Sequence, residues 1–180
     1  DLMKILIAPN SFKGSLTAWE AGKAIEKGIK SASASFETEI IPMADGGEGT
    51  VRSLVDATGG SVISLRVRDP LMRLTESFYG ILGDGLTAVI EMAAASGITL
   101  LETSERNPLK TTTFGTGELI LDAIGKGCRR FILGLGGSAT NDGGTGMASA
   151  LGFRLLDSEG NILGHGGAEL GKLASIDASG

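Results

Sequence analysis

The stretch ETEIIPMADGGEGTVRSLVDATGG, residues 37–60, changes character twice within a short distance. Residues 37–43 read as a strand, and Ala44-Asp45-Gly46-Gly47-Glu48-Gly49-Thr50 as a loop. Val51, Leu54 and Val55 then fall at helical spacing, and Gly59-Gly60 supplies the stop. Strand, glycine-rich loop and helix in that order make one step of a β-α alternation, the pattern that builds parallel sheets with helices on their faces.

Upstream, residues 4–8 (KILIA) form a short apolar run ending at Pro9, as expected of a buried strand. A loop follows over residues 10–16. Thr17 and Glu20 stand at capping-box spacing, with Ala18, Ala21, Ile25 and Ile29 at helical intervals behind them. Two β-α units therefore open the chain, and strands 4–8 and 37–43 are expected to be parallel neighbours.

Downstream the period changes. Ile63, Leu65 and Val67 alternate with Ser64, Arg66 and Arg68, and two further strand-like runs flank Gly83-Asp84-Gly85. Consecutive strands imply antiparallel pairing, so a second domain is expected from residue 62. Beyond Pro108 the sequence predicts a Thr/Gly loop at 110–117 and a helix carrying Leu119, Ile120, Ala123 and Ile124. A strand at 130–135, a loop at 136–146, a short helix at 147–151 and a strand at 153–157 follow. Residues 158–180 are glycine-rich with weak periodicity. The domains expected are 1–61 and 62–180.

Composition narrows the function. With 42% hydrophobic and 21% charged residues the chain is globular. A net charge of -5 and the presence of one Trp and one Tyr argue against a nucleic-acid partner. No apolar run reaches the roughly 18 residues of a membrane span, which points to no membrane partner and to the cytoplasm. Met3 is expected to open the natural chain, since it enters a strand at once. Cys128 and His165 each stand alone, so neither a disulfide nor a zinc cluster is expected, and a small buried Cys128 fits best. His165, among glycines, reads as solvated, and Trp19 as a packing residue. The 29 glycines exceed the usual ~7% about twofold, and they gather in loops.

Three of those loops follow the carboxyl ends of expected strands, the edge where α/β sheets bind ligands. Phosphoryl transfer needs backbone N–H donors near phosphate, a cation, carboxylates for Mg2+ and a carboxylate near the accepting hydroxyl. The first loop offers Lys13 as a cation framed by Ser11, Gly14 and Ser15. In the second, Asp45 and Glu48 suit helix capping or ligand chemistry. Gly46, Gly47 and Gly49 beside them suggest a ligand close to the backbone. In the third, Gly136, Gly137, Ser138, Thr140, Asn141 and Asp142 make an oxygen-rich loop fit for Mg2+ or phosphate, with Asx-turn chemistry as the plain alternative. Gly115 and Thr116 open a helix whose free N–H groups could hold an anion or serve ordinary capping. The catalytic candidates are Lys13, Asp45 and Asp142, with Asp45 and Asp142 also the metal-ligand candidates.

A competing pattern is Gly134-x-Gly136-x-x-Ala139, with Asp157 further on, which fits a dinucleotide fingerprint. A dinucleotide helix should start at the third small residue, whereas Thr140-Asn141-Asp142-Gly143-Gly144 would interrupt its first turns. The Walker and protein-kinase motifs are absent.

The three loop stretches, residues 7–15, 42–50 and 134–144, resemble in order the signature stretches of the bacterial glycerate kinases of the first structural type. Residues 78–83, 88–97 and 114–120 agree with them. The resemblance implies a flavodoxin-like parallel-sheet α/β domain interrupted by an inserted α/β domain, with catalysis between them and the C-terminal half absent from this chain. It implies ATP and Mg2+ as cofactors and D-glycerate as substrate, phosphorylated in preference at the 2-hydroxyl, with a homo-oligomer allowed. A nucleotide- or dinucleotide-binding module without phosphotransfer is the alternative. Asn10 departs from the family, where Asp is expected.

Overall fold

The computed structural model describes residues 3–12 and 15–179. It is a mixed α/β structure with parallel strand pairs. β1 (Lys4–Ile7) and β2 (Glu37–Ile40) run parallel with Lys4 opposite Glu37, joined by α1 (Ala18–Ala32). The capping box that starts α1 is present, Glu20 N donating to Thr17 Oγ1 and Thr17 N to the Glu20 carboxylate. Gly22 lets α1 lie close on the sheet, since a Cβ there would meet Ile40 Cγ2 at 2.5 Å. β2 is shorter than the expected 37–43 because Pro9, on the β1 side, has no N–H to give to Ile41 O. Even so, Ile41 N still donates to Ile7 O and Met43 N to Pro9 O, keeping the chain beside β1.

α2 (Thr50–Thr58) ends at Gly59, whose left-handed φ of 67° a glycine adopts without strain. A second sheet then forms in the order β3 (Ser61–Arg68), β4 (Leu74–Ile81), β5 (Thr87–Glu91), β6 (Arg130–Gly134). The first two pairings are antiparallel and the last is parallel. The run after residue 60 thus enters a sheet separate from β1 and β2, with the antiparallel pairing expected of consecutive strands. One face of this sheet, with Val67, Tyr79, Ala88 and Ile90, packs on Leu119, Ile120 and Ala123 of α4 (Phe114–Gly125), and Cys128 is buried there. The other face packs Val89 on Val51 and Val55 of α2. Fully burying each such side chain contributes roughly 1.5–3 kcal/mol, so α2 and α4 clamp the sheet from both sides.

α3 (Ala93–Ser96) follows β5, and α5 (Thr145–Ala150) packs against α4. β7 (Arg154–Leu156) pairs antiparallel with β8 (Ser175–Asp177), an element that the weak periodicity after residue 158 conceals. α4 begins at Phe114, so the loop expected over 110–117 is already helix in its last residues. Trp19 is 52% exposed with Lys23 Nζ 5.0 Å above its ring, a corrected placement for a residue expected to pack.

Candidate active site

The two parallel strands release their loops side by side, and the loops bond to each other. Asn10 Nδ2 donates to Asp45 Oδ2 at 3.0 Å, while Asn10 Oδ1 accepts from Ser11 N at 2.7 Å. Gly47 N donates to Asp45 Oδ1 at 3.0 Å, so both oxygens of this exposed carboxylate are oriented from within the loops. The third loop joins them where Gly136 N donates to Gly46 O at 3.0 Å. This approach requires glycine: a Cβ at Gly134 would sit 2.4 Å from Gly46 O, and one at Gly136 2.8 Å from Gly47 Cα. Lys13 and Gly14 lie outside the described residues.

A cleft of about 400 Å³ opens beside these loops, bordered by Ser11, Ser15, Glu48, Arg52, Phe78 and Glu91. Glu91 is the residue the sequence reading passed over. It ends β5, is only 4% exposed, and its Oε1 accepts from Val51 N at 2.8 Å at the start of α2. Burial pushes its carboxyl up from the usual range. The backbone N–H groups of Val51, Gly49 and Thr50 pull the other way, and the charge of Glu48 adds to the rise. The available signal was a carboxylate closing an otherwise apolar strand, Thr87-Ala88-Val89-Ile90-Glu91. That reading needs the approach of α2, which spacing does not disclose.

Asp142 is corrected. Its carboxylate is 1% exposed and accepts from Thr112 Oγ1, Thr113 N and Oγ1, Gly144 N and Gly146 N at 2.8–3.2 Å. Five protein donors hold this buried carboxylate, most of them on Oδ2. It is a tether between the starts of α4 and α5. Gly115 and Thr116 are also corrected: both are buried in the first turn of α4, where a Cβ on Gly115 would meet Arg68 O at 1.8 Å. Thr116 N donates to Thr113 O and its hydroxyl bonds that of Ser96 at 2.8 Å, so these residues close a helix contact and face no anion.

The rest of the third loop is strapped to its neighbours. Ile98 N donates to Gly137 O, Ala139 N donates to Ser96 O, and the Ser138 and Thr140 hydroxyls bond each other at 2.9 Å. Asn141 is exposed. α5 begins only at Thr145, so Gly134 and Gly136 open no dinucleotide helix and instead receive loop 44–50. His165 is exposed and meets Phe114 edge-on, with 5.2 Å between ring centroids. Among the described residues no three His, Cys, Asp or Glu side chains gather to hold a metal ion, and no helix is long and apolar enough to cross a membrane.

The sequence profile described as the glycerate kinase family matches residues 5–180. The chain belongs to the glycerate kinase family. It is 59% identical over 178 residues to a glycerate kinase of Bacillus subtilis (strain 168), covering 99% of this chain and 47% of that one. It is 51% identical over 178 residues to a glycerate 2-kinase of Escherichia coli (strain K12), again covering 99% of this chain and 47% of the relative. A crystal structure of a candidate glycerate kinase 2 from Salmonella typhimurium LT2 superposes with a TM-score of 0.86 at 50% identity, covering all of this chain and 48% of that one. The chain thus spans about half the length of the family members it matches. The loops that meet at Asp45, Gly46 and Gly136 are the stretches whose resemblance pointed to this family.

Proposed function

We propose that this chain is the N-terminal part of an ATP-dependent kinase that phosphorylates D-glycerate, with the 2-hydroxyl as acceptor. The observation that carries the reading is the convergence of three separate loops through the Asn10–Asp45 and Gly46–Gly136 bonds, on a chain of this family. Domain organisation is part of the proposal. Residues 1–61 belong to a flavodoxin-like parallel-sheet domain, and residues 62–180 are the first part of an inserted α/β domain. The separation of β1–β2 from the β3–β6 sheet supports two units, with α2, which precedes the boundary, packed on the second sheet.

In this reading the glycerate hydroxyl oxygen bonds to the γ-phosphorus while the bond from that phosphorus to the bridging oxygen of ADP breaks, and the hydroxyl proton passes to a carboxylate. Asp45 is the carboxylate we assign, since Asn10 and Gly47 fix its orientation at the meeting point of the loops. Mg2+ in such reactions takes most of its ligands from phosphate and water, and supplies charge neutralisation. Glu48, in the same loop, carries oxygen atoms that would hold it here, a role open to Asp45 only if another group takes the proton. Lys13, Ser11, Gly14 and Ser15 in the first loop, and Gly46, Gly47, Gly136 and Gly137 in the others, are assigned to the phosphate and the small acid. Ser138, Thr140 and Asn141 are assigned to the rim.

The test is ADP release coupled to added D-glycerate, with the protein at the full length of its relatives, and phosphorus NMR of the product. Release that depends on D-glycerate and yields 2-phosphoglycerate is expected. ADP binding without release would leave a nucleotide-binding module and end the kinase reading.

A further inference from the structure

The face of the second sheet that looks away from α4 is only half covered. In register, Val62 lies opposite Gly80 and Ser64 opposite Phe78, and Gly80 lies opposite Val89 across the next pairing. α2 occupies the Gly80 and Val89 end, so tightly that a Cβ on Gly80 would meet Val55 Cγ2 at 2.4 Å. Past α2 the same face stays open as a hollow of about 420 Å³ between Val51 and Arg52 on one side and Val62, Ser64 and Phe78 on the other. Arg52 and Phe78 also border the cleft beside the loops, so the two hollows adjoin across these side chains.

The loop end carries the hydroxyls of Ser11 and Ser15 and the carboxylate of Glu48 among Phe12, Leu16 and Met43. The sheet end presents Phe78 and Val62, each 37% exposed. Between them stands Arg52, whose side chain is 73% exposed and holds Asp56 only at 3.5 Å, an exposed helical pair of the weak kind. Glu76 at the outer rim is offset by Arg66 at the same separation. A two-ended site with a cation at the junction fits a ligand that is anionic at one end and aromatic at the other, and its size lies in the range of small-molecule pockets.

We propose that the open face of β3 and β4 takes the purine nucleoside of ATP, with the base against Phe78 and Val62. Arg52 offsets the negative charge of the phosphates that enter the loop cleft. The inference rests on the kinase reading and adds the place of the nucleotide. An aromatic face suits any purine, so affinity here comes from stacking and desolvation more than from base-edge recognition.

Calorimetric titration of the protein at the full length of its relatives, with MgADP and with magnesium pyrophosphate, tests it. Phe78→Ala should weaken MgADP about tenfold or more, the loss of one base–aromatic contact, and leave pyrophosphate unchanged. Arg52→Gln should weaken both. Val62→Glu, at an exposed strand position, repeats the Phe78 test without opening a gap in the sheet, and melting curves verify that each variant is folded. MgADP affinity within twofold of the parent in both Phe78→Ala and Val62→Glu overturns the inference, and the kinase reading survives if D-glycerate is still phosphorylated. Weakened MgADP binding in a protein that never phosphorylates D-glycerate keeps the nucleoside site and removes the kinase. A parent protein that binds no MgADP overturns both.

Discussion

Removing the Asp142 carboxylate would strand the Thr112, Thr113, Gly144 and Gly146 donors in a buried setting, where each unpaired group is penalised by its lost hydration. Asp142→Ala is therefore expected to lower the unfolding free energy by about 3–5 kcal/mol in urea titrations, as breaking a buried charged network does. A change below about 1 kcal/mol would return Asp142 to the list of site residues. Asp45 should behave in the opposite way. It is exposed, so Asp45→Asn in the full-length enzyme is expected to cut kcat at least about 10²-fold with an unchanged melting curve. Lys13→Ala should do the same, and His165→Ala, an exposed ring edge-on to Phe114, little. Steady-state rates at saturating MgATP and D-glycerate decide these three. Glu91 gives a pH signature. Its carboxyl is pushed up on folding, chiefly by burial, so the folded chain binds the proton more tightly than the unfolded one. The contribution of this group is complete below the ordinary carboxyl value of 4.5 and is lost as pH rises through the raised folded value. Glu91→Gln keeps an acceptor for Val51 N and removes the titration. Urea midpoints should show the variant gaining on the parent as pH rises from about 4.5, and a difference that does not vary with pH would contradict the assignment.

Among the elements, those with a local cause were legible in the sequence. The Thr17–Glu20 spacing gave α1 its start, Gly59 gave α2 its stop, and the alternation from Ile63 to Val67 announced an antiparallel strand. What stayed hidden depends on which distant backbone comes near. Gly115 and Thr116 read as a helix start open to an anion or to ordinary capping, because glycine at a helix start has two meanings. The meaning that applies is set by Arg68 O lying where a Cβ would be. Asn141-Asp142-Gly143-Gly144 reads as a metal-friendly turn until residues 112–113 supply donors that hold Asp142. Gly46 and Gly47 read as room for a ligand beside the backbone, and Gly134 and Gly136 as part of a dinucleotide pattern, whereas in the fold these glycines make room for one another. That pairing carries a prediction at the scale of the loops. Gly134→Ala would drive a methyl into Gly46 O and must part the second and third loops. Glycerate-dependent turnover should fall at least about tenfold, a displacement of reacting groups by about 1 Å being enough for more than that. Parent-like turnover in a folded Gly134→Ala protein would show that the contact has no part in the site.

For the whole molecule, the unequal sizes of the two sheets carry the argument. β3 to β6 have helices on both faces, whereas β1 and β2 form a two-stranded pair with α1 against it, and a lone strand pair is marginal in water. Leu6 on β1 is 59% exposed and Met43 beyond β2 is 51% exposed, an unusual placement for residues in a short apolar strand and its extension. The family members this chain matches are about twice its length. The proposed flavodoxin-like domain would use that further length to add strands and helices over the bare side of β1 and β2. The consequence is a context dependence that can be measured. In the 180-residue chain, Leu6→Ala should change the unfolding free energy by no more than about 0.5 kcal/mol, as an exposed substitution does. In the protein at the full length of its relatives the same change should remove about 2–5 kcal/mol, as a buried leucine does. Urea titrations of the two parents and two variants give both numbers. If Leu6→Ala were equally mild in both lengths, nothing in the longer protein would cover β1. Residues 1–61 would then not be the opening of a larger parallel sheet.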